Sequence, residues 1–208
     1  FFKENALAYF FYQVGYNALF ISQILIIAIV IDSIDAGRAL PTFRLWAFGT
    51  GIIAMALIPV IARVNWGMRQ DEGALRKSLV RMSLILGAIA LVSAAAFMVF
   101  LPTVIRLWLN ESFVLSPLMR ILMGLCLGLG IIITFLSNVL IGMDEVARLS
   151  RIYAVMAIVY LGASVALTRA FSIDGIGMAT ALIFAVLLPV LFRIFYLRFL
   201  LLKPPKVT

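Results

Sequence analysis

Between Pro59 and Arg81 the sequence PVIARVNWGMRQDEGALRKSLVR is the one long polar interruption in an otherwise apolar chain. An apolar run long enough to cross a bilayer, which takes roughly 20 residues, lies on either side of it. The stretch therefore joins two membrane spans, and it also sets their direction. Arg63, Arg69, Arg76, Lys77 and Arg81 stand there against only Asp71 and Glu72. A short loop this basic stays on the cytoplasmic side, and every other connection alternates from it.

Composition places the whole chain in the same class. Of 208 residues, 65% are hydrophobic and 12% charged, and the mean hydropathy of +1.17 lies far outside the range of soluble domains. The expected fold is an all-α integral membrane bundle. A net charge of +8 would point to nucleic acid in a soluble protein. Here Lys and Arg flank apolar runs as loop anchors and anionic-lipid contacts, so membrane lipids are expected as partners and nucleic acid is not. Histidine is absent and the single cysteine, Cys126, sits inside an apolar run. No intrachain disulfide is available, and neither a metal nor a cofactor is expected.

Six spans are expected, at about 13–31, 40–62, 82–105, 118–141, 152–170 and 176–201. An aromatic lead-in over 1–12 suits the membrane interface, and the tail 202–208 is expected in the cytoplasm. The start, FFKENALAYFF, has neither an initiator Met nor the basic region and cleavage site of a signal peptide. Beginning inside apolar sequence, it leads to the expectation that an N-terminal part has been removed or is encoded elsewhere.

Polar residues within the spans are the candidates for function. The first span carries Asn17, Ser22 and Gln23, which either bond between helices or face a cavity. The second carries Arg44, about a turn inside, where a guanidinium either snorkels to the interface or serves a ligand. Pro59, near that span's end, is expected to bend it into the basic loop. The third has no charge, and the spacing of Ser83, Gly87, Ala90 and Ala94 favours close helix packing. Trp108, Asn110 and Glu111 mark its wet exit, and Ser116-Pro117 starts the next helix with a cap. The fourth span holds Arg120, a Gly124-x-x-x-Gly128 pair, Gly130, Thr134, Ser137 and Asn138. Gly175 and Gly177 allow the last two helices to approach closely, and Pro189 is expected to kink the final one.

The order of segments RALPTFRLWAF, ALIPVIARVNWGMRQDEGALRKSLVR, TVIRLWLNES, LSNVLIGMDEVARLSRIYAVMAIVYLGASVAL and SIDGIGMATAL resembles the C-terminal six-helix lobe of the polysaccharide-transporter flippases. These are the O-antigen and lipid-linked oligosaccharide exporters of the superfamily that also holds MATE multidrug exporters and lipid II flippases. The resemblance spans nearly the whole chain and resides in the order of apolar patterns with scattered Pro, Gly, Arg and Trp. It implies a lobe of a V-shaped alternating-access transporter in a bacterial inner membrane, moving a lipid-linked glycan, with no enzymatic step. It also implies a missing N-terminal lobe or self-association, because the family has two lobes and one is present here. In that family the first two helices of a lobe border the cavity, which makes Asn17, Gln23 and Arg44 cavity candidates. Arg120 is added by position and Asn138 as a contact for sugar hydroxyls. A cationic lining suits a pyrophosphate-linked head group, since Arg meets phosphate through a planar fork of donors.

Three other readings remain open. A MATE-type cation antiporter is expected to carry acids within its helices, whereas the nine acids here fall in or beside the expected loops. A membrane enzyme acting on lipid-linked sugars would use paired acids, for which Asp71-Glu72 and Asp144-Glu145 are the available pairs. Without His, no Ser/His/Asp arrangement exists. The third reading is a non-transporting assembly subunit.

Six spans bring both ends to one side. With the 59–81 loop inside, the cytoplasmic side carries 12 of the 17 basic residues, leaving Arg38, Arg44, Arg106, Arg120 and Arg169 outside. Cysteine labelling in intact cells is expected to leave position 71 protected and to modify positions 111 and 174 from outside. Labelling of position 71 from outside would reject this map.

Overall fold

A computed structural model describes residues 2–31, 33–109 and 116–201. Asp32, Asn110, Glu111 and the tail 202–208 lie outside the described residues, and of Lys3, Asp35, Arg38 and Trp108 only the helical backbone is described. The described residues form seven helices in order: α1 (Phe2–Ile21), α2 (Gln23–Val30), α3 (Ser33–Gln70), α4 (Glu72–Leu109), α5 (Pro117–Gly142), α6 (Val146–Phe171) and α7 (Ile173–Leu201). Among the described residues there is no strand. Among the described residues five helices are long and apolar enough to cross a membrane, and α1 with α2 makes a sixth if that bent pair is one span. The chain is thus an all-α, multi-pass membrane bundle.

Helix α1 is continuous from Phe2, so the aromatic lead-in forms part of the first helix. The break between α1 and α2, bent by 55°, has a side-chain cause. Ser22 Oγ donates to the carbonyl of Ala18 at 2.5 Å and Gln23 Nε2 to that of Leu19 at 3.1 Å. Such back-bonding to the preceding turn competes with the helical ladder and bends it. The ladder resumes at once, with Ile26 N–H donating to Ser22 C=O. The bend sends the two halves to different partners: α1 packs along α6, and α2 mainly along α3.

Where the sequence leads one to expect a bend at Pro59 and a loop, with an amphipathic helical entry to the third span after Asp71, two helix ends meet at Asp71. Helix α3 runs through Pro59 to Gln70, and α4 starts at Glu72. Asp71 makes this possible by accepting the Ala74 N–H on its carboxylate at 2.9 Å, while its own N–H still donates to Gly67 C=O at 3.0 Å. Gly67 supplies the space, since a Cβ there would lie 3.1 Å from Leu75 Cβ. At 38 residues each, α3 and α4 are about 57 Å long, nearly twice a hydrocarbon core. Arg63, Arg69, Lys77 and Arg81 are exposed along this hairpin end. The polar sequence therefore reads as charged helix surface rather than as loop.

Helix α5 is the centre of the bundle: 78% of its 18-residue apolar segment is buried, against 17–22% of the corresponding segments of α3, α4 and α6. It contacts α3, α4 and α7 extensively. Its glycines set the distances. A Cβ on Gly128 would meet Ala90 O at 3.0 Å and Ala94 Cβ at 3.2 Å, and Gly124 abuts Ala94 and Met98 of the same helix. On another side, a Cβ on Gly142 would fall 2.7 Å from Val64 Cβ. The close packing expected of the small residues is met at Ala90 and Ala94 of α4, which lie against Gly124 and Gly128 of α5. Gly87 has nothing within 4 Å, and Ser83 Oγ donates to its own helix at Leu79 O.

The connections gather at two ends. At the Asp71 end, the α3–α4 junction, the α5–α6 turn and the end of α7 meet: Arg198 pairs with the buried Glu145, and the Arg76 guanidinium lies 4.8 Å from the Phe199 ring centre. At the other end Ser116 caps α5, accepting the Met119 N–H at 2.9 Å, and donates to Asp174 Oδ1 at 2.6 Å, tying α5 to α7. Gly142→Ala is expected to destabilise the bundle by about 1–3 kcal/mol through overpacking, whereas Gly87→Ala should be neutral or stabilising by up to about 1 kcal/mol through helix propensity. Thermal unfolding in detergent, compared for the two variants, checks both signs.

Candidate functional site

Helix α6 builds the polar interior from an inverted pattern. Its buried positions include Ser150, Tyr153, Ala157, Tyr160, Ser164 and Thr168, one face at helical spacing, while Val155, Ile158 and Val159 on other faces are exposed. In a membrane the apolar face belongs outward and the hydroxyls inward, where neighbouring helices satisfy them. Tyr153 OH and Ser137 Oγ of α5 lie 2.8 Å apart, and Tyr160 OH lies 3.4 Å from Thr180 Oγ1 of α7. Helix α1 adds Tyr16, whose hydroxyl is 3.4 Å from Thr134 Oγ1.

Aromatic rings continue the same column along α1. Tyr12 sits edge-on to Tyr153 at 4.9 Å between centroids, Tyr16 stacks on Phe20 at 4.3 Å, and Phe20 stacks on Trp46 of α3 at 5.7 Å. Close approach of α1 to α6 is allowed by Gly15, where a Cβ would come within 2.8 Å of the Tyr153 carbonyl carbon. The hydroxyl face of α6 escaped notice in the sequence because Ser, Thr and Tyr are spread among Val, Ile and Ala without a charge. A helical-spacing count of hydroxyls from Ser150 to Thr168 would have found it.

The five candidate residues occupy three kinds of environment. Asn17 on α1 and Arg44 on α3 are exposed on their helices. Gln23 is buried at the α1–α2 break, spent partly on the Leu19 carbonyl. Asn138 is buried on α5 one turn before Gly142, with no side-chain hydrogen bond to the described residues. Arg120, in the first turn of α5, is half-buried, and its Nε is enclosed without a partner. Arg44 likewise has no ion pair among the described residues. It heads an outward stripe of α3 that continues with Phe48, Ile52 and Met55, all exposed. Further along the same helix Ile58, Ile61, Ala62, Asn65, Trp66 and Arg69 line an open depression of about 500 Å³.

The acids sit elsewhere. Asp71 caps α4, Asp174 accepts from Ser116, Glu145 holds Arg198, and Asp144 is exposed in the α5–α6 turn. Among the described residues no three His, Cys, Asp or Glu side chains form a group able to hold a metal ion. The interior thus offers hydroxyls, amides and aromatic faces, with cations toward the ends and on the outer face. Tyr153→Phe, which leaves the Ser137 hydroxyl without its partner, is expected to cost about 0.5–1.5 kcal/mol of stability with little change in helix content. Detergent unfolding followed by circular dichroism measures both. Comparison of the chain with known protein families, with characterised proteins and with solved structures finds no match.

Proposed function

We propose that this chain is one lobe of an alternating-access transporter that moves a lipid-linked, pyrophosphate-bearing glycan precursor across a bacterial inner membrane. The observation that carries the reading is Arg44: a fixed cation, exposed on the outward stripe of a membrane-length helix, with no counter-ion among the described residues. A guanidinium so placed takes its anion from beyond its own lobe, and a phosphate-bearing amphiphile passing along α3 supplies one. Asn17, exposed on α1, adds a neutral hydrogen-bonding group of the kind sugar hydroxyls need. The outward faces of α1 and α3 then meet a second six-helix unit, either another copy of this chain or a partner lobe, and the two rock about the cavity between them.

Two alternatives are weaker on the placement of acids. A cation antiporter needs carboxylates within its spans, and the described acids Asp71, Glu72, Asp144, Glu145 and Asp174 all stand at helix ends. A sugar-transferring enzyme needs a free acid pair at a membrane face. Asp71 is occupied as a cap and Glu145 by Arg198.

The test is substitution at Arg44 in the complete transporter. Arg44→Ala is expected to abolish complementation of glycan export at matched membrane levels, and Arg44→Lys to restore it only in part, because Lys supplies charge without the planar fork. Full export by the Ala variant would end the reading. Equal export by Lys and Arg would reduce Arg44 to a membrane anchor.

A further inference from the structure

Five buried polar atoms have no hydrogen-bond partner among the described residues: Thr42 Oγ1, Trp46 Nε1, Arg120 Nε, Ser164 Oγ and Thr168 Oγ1. They are not scattered. Thr42 and Trp46 lie in the first half of α3, Arg120 in the first turn of α5, and Ser164 and Thr168 in the last turns of α6, so all five fall toward the Ser116 end. Thr42, Trp46 and Ser164 are completely buried, and Thr168 is 1% exposed.

Helix register gives two of them corresponding positions on neighbouring helices. Gly49 of α3 packs on Leu127 of α5, and Val64 of α3 packs on Gly142 of α5, so these helices run parallel in constant register. Thr42 precedes Gly49 by two turns, and Arg120 precedes Leu127 by two turns. Carried on over those two turns, that register gives Thr42 and Arg120 corresponding positions on the two helices, and no hydrogen bond joins them. Trp46 follows Thr42 by one turn on the same buried face of α3. Toward α7, Arg120 has no bond to Asp174, the described acid at this end, which accepts from Ser116 instead.

The chemistry of the group is one-sided. All five atoms can donate, the indole and guanidinium nitrogens can only donate, and one belongs to a permanent cation. Buried donors left unpaired are costly, and an unpaired guanidinium in a low-dielectric setting calls for an anion. Arg120 is only half-buried, so its guanidinium stays partly open to the surface from which an anion would come. We propose that the Ser116 end of the bundle is a binding site for a phosphate-class oxyanion, held by Arg120 with Thr42 and Trp46 as neutral donors. Arg120 is also a cavity candidate of the transport reading, but the site is argued from the unpaired donors and not from Arg44, and it would persist in a chain that moved no glycan.

Phosphate oxygens reach such a site from free phosphate or from a phospholipid head group, and two measurements separate these sources. Delipidated protein in neutral detergent is titrated with inorganic phosphate and, at matched ionic strength, with chloride. In parallel, protein from phosphatidylglycerol nanodiscs is weighed by native mass spectrometry for retained lipid. Saturating phosphate is expected to raise the unfolding temperature by about 5 °C over chloride if the free anion binds. Retained phosphatidylglycerol without that shift assigns the site to the head group. Arg120→Gln and Thr42→Val should lose whichever response is seen, and Arg169→Gln, an equal charge change at the same end, should keep it. Independently of variants at Arg120 and Thr42, Trp46 in a Trp66→Phe, Trp108→Phe background should emit at longer wavelength when its indole N–H gains an acceptor from phosphate or phosphatidylglycerol. An equal response to chloride, a response unchanged in Arg120→Gln, an unmoved Trp46 spectrum, or neither phosphate shift nor retained lipid would overturn the site.

Discussion

Close approach to the backbone of α5 is the condition on which the rest of the bundle rests. In lipid there is no hydrophobic force to drive apolar helices together, so van der Waals contact and interhelical hydrogen bonds carry the association. Glycines at 124, 128 and 142 let α4 and α3 reach that backbone, and Gly177 of α7 packs against Met119 and Leu122. With α5 enclosed, α3 and α4 show most of their surface outward. The remaining helices are positioned relative to this core, α6 through α7 and α1 through α6.

A buried centre of that kind leaves the polar groups of its neighbours nowhere to go but inward. The hydroxyl face of α6 meets Ser137 of α5 and Thr180 of α7, and the tyrosines of α1 close the column from the other side. Each hydroxyl that finds a partner adds specificity as well as some stability, because a helix rotated about its axis would expose it to hydrocarbon. The two ends differ in how far this satisfaction goes. At the Asp71 end Arg198 is engaged by Glu145 and Arg76 by Phe199, while Arg63, Arg69, Lys77 and Arg81 face outward and Asn138 is buried without a side-chain hydrogen bond to the described residues. At the Ser116 end donors remain unpaired, and Arg120 is among them.

Much of this was legible along the chain, and for a physical reason. Long apolar runs separated by charged connections demand membrane helices, so the class and the approximate spans of α3 through α7 follow from hydropathy alone. Caps are equally local: Ser116-Pro117 forms the expected helix start, and the Ala90/Ala94 and Gly124/Gly128 spacings mark the faces that meet. Arg44 and Arg120 stand out because an arginine within an apolar run is expensive wherever it points.

Tertiary structure decided what depends on neighbours rather than on sequence distance. The stretch around Asp71 became two abutting helix ends because Gly67 admits Leu75 and one carboxylate caps the second helix. The first span bent at Ser22 without Pro or Gly, and its halves follow α6 and α3, a choice that no periodicity within 13–31 encodes. Depth and facing were hidden as well. That Arg44 points outward, that Asn138 is enclosed, and that Thr42 and Arg120 take corresponding positions are properties of helix register and rotation. The sequence by itself determined that these segments are helices in a membrane, since hydrocarbon admits little else. Which polar groups pair and which stay unpaired was settled by packing, because hydrogen-bond satisfaction is a relation between helices and not a property of any one of them.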